Sequence, residues 1–123
     1  MQETINAVKH FAAKGLTGIF HCFSGSYESA KQITDMGFML GIGGVITYKN
    51  SGLPQALENI PNEFLVLETD APYLSPVPFR GKRNESSYLQ YIIEKLADIK
   101  QISVEEMARI TTVNAERVFL PQI

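Results

Sequence analysis

Three short apolar runs limit what this chain can fold into. LTGIFHCF (16–23), FMLGIGGVITY (38–48) and EFLVLETD (63–70) are rich in strand formers, and segments with helical spacing separate them. Each run is apolar nearly throughout instead of alternating with polar residues, as in strands covered on both faces. Strands of that kind, alternating with helices, indicate a parallel α/β sheet with helices packed on it.

The helical segments support this order. Ile5, Val8, Phe11 and Ala12 share one face of a helix over 2–14, and Gly15 is placed to end it. A second helix lies within GSYESAKQITDMG (25–37), with Ala30, Ile33 and Met36 in register, and a short third lies in SGLPQALENI (51–60). SSYLQYIIEKLADIK (86–100) predicts a fourth helix behind a serine cap. The fifth starts at Ser103, where Glu106 completes a capping box. Three parallel strands beginning with a bare helix look like part of a larger fold, either a sector of an eight-stranded barrel or half of an open sheet.

Composition narrows the function classes. At 123 residues and 45% apolar content, the chain can bury the core of one domain. A net charge of -2 argues against a surface coated with cations, so anion binding must come from a local cluster, here Arg80, Lys82 and Arg83. The single cysteine, Cys22, excludes an intrachain disulfide framework and suits a reducing compartment. No apolar run approaches the length of a membrane span, so no membrane partner is expected and the cytoplasm is the expected location.

In parallel α/β folds, active groups sit at the carboxyl ends of strands. His21 ends the first run and Asp70 the third. Either alone could be structural, a core histidine or a turn cap, but together an imidazole and a carboxylate at two strand ends suit divalent-metal ligation or acid–base work. Strand alternation puts Glu68 on the same face as Asp70, where it would need a partner and could orient a ligand from behind. Downstream, FRGKRNE (79–85) gathers guanidiniums and an ammonium beside a glycine, a composition suited to phosphate or to a solvated loop answering Glu85. His10 reads as a surface residue and Cys22 as a buried one. GIGG (41–44) lacks the dinucleotide fingerprint.

The stretches HCFSGS, GIGGVITYKN, LETDAPYLSPVPFRGKRNE and ITTVNAERVF, in this order, resemble the successive signatures of the TatD family of metal-dependent hydrolases. The resemblance implies an α/β fold, the C-terminal part of a TIM-type barrel with about three parallel strands and flanking helices, so that 1–123 is a single partial domain. It implies a deoxyribonuclease that hydrolyses DNA phosphodiesters with divalent metal ions, whether Mg, Mn or Zn. It makes His21 a metal ligand and Asp70 a metal ligand that also handles the proton of the attacking water. Arg80, Lys82, Arg83 and Asn84 become the loop beside the substrate.

Ser86 stands where the family commonly has proline. The family's paired histidines on the first strand, its middle-strand glutamate and a further histidine have no counterparts here, so the chain alone is expected to be inactive and to hold metal weakly. Two rival readings remain: an amidohydrolase-like enzyme acting on a carbonyl substrate, and a non-catalytic nucleic-acid-binding half-barrel. A three-stranded section also exposes sheet edges, which predicts self-association.

Overall fold

The computed structural model describes residues 1–120, and its sheet has three parallel strands in the order β1-β2-β3. β1 is Ile19–Phe20, β2 is Met39–Ile42 and β3 is Leu65–Leu67. The helices are α1 (Gln2–Ala12), α2 (Tyr27–Asp35), α3 (Leu53–Leu57), α4 (Leu89–Lys100) and α5 (Val104–Phe119). Cross-strand partners run Ile19 to Met39 and Phe20 to Leu40 on one side of β2, then Leu40 to Leu65, Gly41 to Val66 and Ile42 to Leu67 on the other.

The register sorts the sheet into two faces. Phe20, Leu40, Ile42, Leu65 and Leu67 share one, which joins the core formed with Ile33, Leu53, Leu57, Ile92 and Leu96 from the helices. Ile19, Gly41 and Val66 share the other, and it leads upward to His21 and Glu68. Here Val66 is not open to solvent. It is 4% exposed, and Ala115, Val118 and Phe119 at the end of α5 line one cleft with Ile19, His21, Val66 and Glu68.

The strands are shorter than the apolar runs, for local reasons. β1 stops where Cys22 takes a left-handed conformation, φ +51°. The second run leaves the sheet at Gly43 and coils into a 3-10 turn over Gly44–Thr47. The third begins as another 3-10 turn, Asn62–Phe64, behind Pro61. Gly15, at φ +97°, ends α1 as expected, its N–H bonded to the Ala12 carbonyl.

Two capping expectations change. Tyr88, not a serine, precedes α4, and the Ser87 hydroxyl bonds Glu85 instead. Ser103 does cap α5, accepting from the Glu106 N–H at 3.1 Å, but the Glu106 carboxylate pairs with Arg109, so only half of the box forms.

α5 is tied to the strand that carries the acidic residues. Asn114 is wholly buried, and its amide donates to the Asn62 carbonyl at 2.8 Å and the Leu65 carbonyl at 2.7 Å while accepting from Arg117. Replacing it with leucine leaves the buried Leu65 carbonyl without this donor, while the Asn62 carbonyl keeps the Leu65 N–H, so Asn114→Leu is expected to lower stability by about 1–3 kcal/mol. Urea unfolding followed by circular dichroism measures this as an early midpoint; an unchanged midpoint would contradict it.

Candidate functional site

Parallel strands bring their carboxyl ends to one edge, and the polar residues of the three runs collect there. His21 follows β1, Glu68 follows β3, and β2 lies between them. What allows the carboxylate to lie across β2 is glycine. A Cβ at Gly41 would strike the Glu68 Oε2 and come within 3.1 Å of the His21 Cα, and one at Gly43 would lie 3.5 Å from the Glu68 Oε1. Gly41 and Gly43 thus make room for the Glu68 side chain.

Glu68 is the most constrained group of the set. Its Oε1 is buried without a hydrogen-bond partner among the described residues. Burial raises its pKa; the Cys22 backbone N–H and the nearby His21 oppose the rise, and Asp70 adds to it. Its expected partner is therefore only partly supplied. The Cys22 thiol is pushed up as well, by burial first and then by Glu68 and Asp70, which keeps it a thiol instead of a nucleophilic thiolate.

Asp70 sits three residues beyond the end of β3, exposed, with φ +53°. Strand alternation does not extend to it, because the chain has already turned. Both Cys22 and Asp70, on either side of the mouth, hold a left-handed conformation that non-glycine residues seldom adopt and that tends to gather at functional sites.

The loop after Asp70 is fastened at many points. Asn84 is 2% exposed; its side-chain amide donates to the carbonyls of Thr69 and Tyr73, and its backbone N–H to that of Pro72 at 2.9 Å. The Ser75 hydroxyl donates to the Lys82 carbonyl at 2.6 Å, and the Val77 N–H to the Thr47 hydroxyl at 2.8 Å. These bonds fix the loop whether or not a proline stands at Ser86.

Asn84 is a latch under the basic residues: its side-chain N–H groups are used inside the loop, while its Oδ1 is buried without a partner among the described residues. Arg80, Lys82 and Arg83 are exposed, as a phosphate-binding role requires. The sequence reading had no role for Tyr48, whose ring lies under the Arg80 guanidinium, 3.8 Å from ring centre to Cζ. His10 is exposed on α1, as expected.

The donor set of one imidazole and two carboxylates, with a buried carboxylate oxygen lacking a partner, fits a divalent cation in kind. It does not complete a site. Among the described residues, no three His, Cys, Asp or Glu side chains come close enough to hold a metal ion together. Titrating the 123-residue chain with manganese or zinc should therefore give weak or no binding, and stoichiometric tight binding abolished by Asp70→Ala would contradict this.

A parallel β/α section with an imidazole and carboxylates at its carboxyl edge is consistent with the class of metal-dependent barrel hydrolases, and the comparisons place the chain there. The model of the TatD-related DNase family matches residues 1–120, and the chain belongs to that family. It is 45% identical over 119 residues to YabD of Bacillus subtilis, an uncharacterized metal-dependent hydrolase, covering 96% of this chain and 47% of that protein. Against YcfH of Escherichia coli K12, another uncharacterized metal-dependent hydrolase, identity is 40% over 118 residues, covering 95% of this chain and 44% of the relative.

The fold superposes on the crystal structure of YJJV, a TatD homolog of Escherichia coli K12, with a TM-score of 0.85 and 27% identity, over 97% of this chain and 48% of that one. A TatD-family hydrolase of Entamoeba histolytica gives a TM-score of 0.84 at 25% identity. The chain spans about half the length of the curated relatives it matches. The matches fix that share; they do not carry the assignment to the C-terminal half drawn from the motifs. Among the described residues, no helix is long and apolar enough to cross a membrane.

Proposed function

We propose that this chain carries one side of the active site of a metal-dependent phosphodiesterase that hydrolyses DNA. The observation that supports the reading most is the buried, unpartnered Glu68 oxygen between His21 and the Asp70 turn, with a fixed loop of three exposed cations beside it.

In this reading His21 and Asp70 hold a divalent cation, and Glu68 steadies the arrangement from behind. When bound, the cation supplies Lewis acidity and makes a water more acidic than bulk. The chain's own residues do the rest. Asp70, exposed at the mouth, takes the proton of the attacking water. Arg80, Lys82 and Arg83 hold phosphate oxygens and offset the charge that develops on them.

The test uses the complete gene product, stripped of metal by chelation and resupplied with magnesium, manganese or zinc. It should cleave end-labelled DNA only when metal is restored. Cleavage of an ester or amide but not of DNA would favour a carbonyl substrate, and salt-dependent DNA binding without cleavage would favour a binding domain.

Self-association is part of the same proposal. β1 and β3 each have one edge without a neighbouring strand among the described residues, and Phe11, Leu16, Phe119 and Leu120 are exposed. Light scattering of the dilute 123-residue chain should report a dimer or larger species. A monodisperse monomer would contradict this and show that the end of α5 covers enough of the open face by itself.

A further inference from the structure

Of the three exposed cations in the loop, Arg80 alone has a fixed platform. Its guanidinium lies over the Tyr48 ring, the one cation–ring contact among the described residues, and no hydrogen bond or ion pair of those residues engages its N–H groups. The ring contact takes up one side of the guanidinium and leaves its N–H donors unpaired, and a fork of donors so held suits two oxygens of one phosphate.

Tyr48 is itself held. Its hydroxyl donates to the Ser75 carbonyl at 2.9 Å, and the adjacent Thr47 hydroxyl receives the Val77 N–H, so the ring is pinned to the loop that carries Arg80. It ends the 3-10 turn that follows β2, the strand between His21 and Glu68. The clamp is thus referenced to the same strand as the metal-side residues.

We propose that Tyr48 is a positioning residue that holds the Arg80 guanidinium as a preorganised clamp for a substrate phosphate. The assignment rests on the phosphodiester reading for the identity of the ligand, but not for the Tyr48–Arg80 coupling. Lys82 and Arg83, which stack on no ring, add attraction without orientation.

The test is a double-mutant cycle on the 123-residue chain with two probes, a fluorescent ten-nucleotide single strand read by anisotropy and pyrophosphate read by calorimetry. Arg80→Ala should weaken both about tenfold and lower the salt slope for the oligonucleotide by about 0.7 to 1. Tyr48→Leu, which removes no charge, should weaken both about fivefold, the scale of a lost cation–ring contact, while Tyr48→Phe stays within about twofold of the parent. In the Arg80→Ala background Tyr48→Leu should add nothing, which a merely structural role for Tyr48 would not produce.

Arg80→Lys leaves Tyr48 untouched and keeps the charge, so it carries the test should Tyr48→Leu fold poorly. It should lose most of the affinity that Arg80→Ala loses, and parent-like binding would overturn the proposal. Equal damage by Tyr48→Leu in both backgrounds, or no Arg80 dependence with either probe, would also overturn it. Arg80- and Tyr48-dependent binding of pyrophosphate without oligonucleotide binding would leave the clamp standing and count against DNA.

Discussion

Asp70→Asn is expected to lower metal-dependent hydrolysis by the complete gene product on the order of a thousandfold or more, with the fold intact. The substitution keeps the shape and removes the charge, and with it both the metal-ligating strength and the ability to take a proton. Asparagine is the right replacement because Asp70 is exposed at φ +53°, a conformation asparagine adopts more readily than most residues. Stability should change by no more than about 0.5 kcal/mol, so lost activity cannot be ascribed to unfolding. Steady-state kinetics beside a thermal melt measure both quantities. Retained activity would remove Asp70 from the chemistry.

Gly44→Ala should have the largest effect on the fold of the site. The space for a Cβ there is already filled by backbone: it would overlap the Leu74 carbonyl oxygen, lie 2.9 Å from the Pro76 nitrogen and 3.1 Å from the Ser75 carbonyl carbon. No side chain can rotate away to relieve this, so the loop must lift off the 3-10 turn. Overpacking of this kind costs about 2–3 kcal/mol. The same displacement would break the Tyr48–Ser75 and Thr47–Val77 bonds and loosen Arg80 from its ring. Urea unfolding should show the lost stability, and phosphate affinity should fall with it. Gly52→Ala is a useful contrast, since nothing lies within 4 Å of a Cβ there and only its φ of +69° resists.

Much of the architecture was legible in the sequence because burial on both faces leaves continuous apolar runs, and LTGIFHCF, FMLGIGGVITY and EFLVLETD each contain a strand. Their ends were not legible. Apolar composition does not distinguish a strand from the 3-10 turn at Gly44–Thr47, and nothing in it announces the left-handed turn at Cys22. At the site, His21 and Asp70 could be placed by the carboxyl-end rule. The burial of Asn84 was not legible, because nothing in a run of cations shows that its side-chain N–H groups meet the Thr69 and Tyr73 carbonyls. The role of Gly41 and Gly43 in admitting Glu68 depends on register, and Tyr48 meets Arg80 only through tertiary structure. A paired signal did exist for Asn114: a lone amide among the apolar positions of ITTVNAERVF marks a buried polar group that needs partners.

The claim that His21 and Asp70 face one cation can be tested on this chain directly, because it holds only two histidines. Proton NMR of the imidazole resonances during addition of manganese detects even weak binding through paramagnetic broadening. The His21 signals should broaden at metal concentrations that leave those of His10, exposed on α1, sharp, and Asp70→Asn should restore the His21 lines. Equal broadening of both histidines, or selective broadening of His21 that survives Asp70→Asn, would contradict a shared metal site at this mouth.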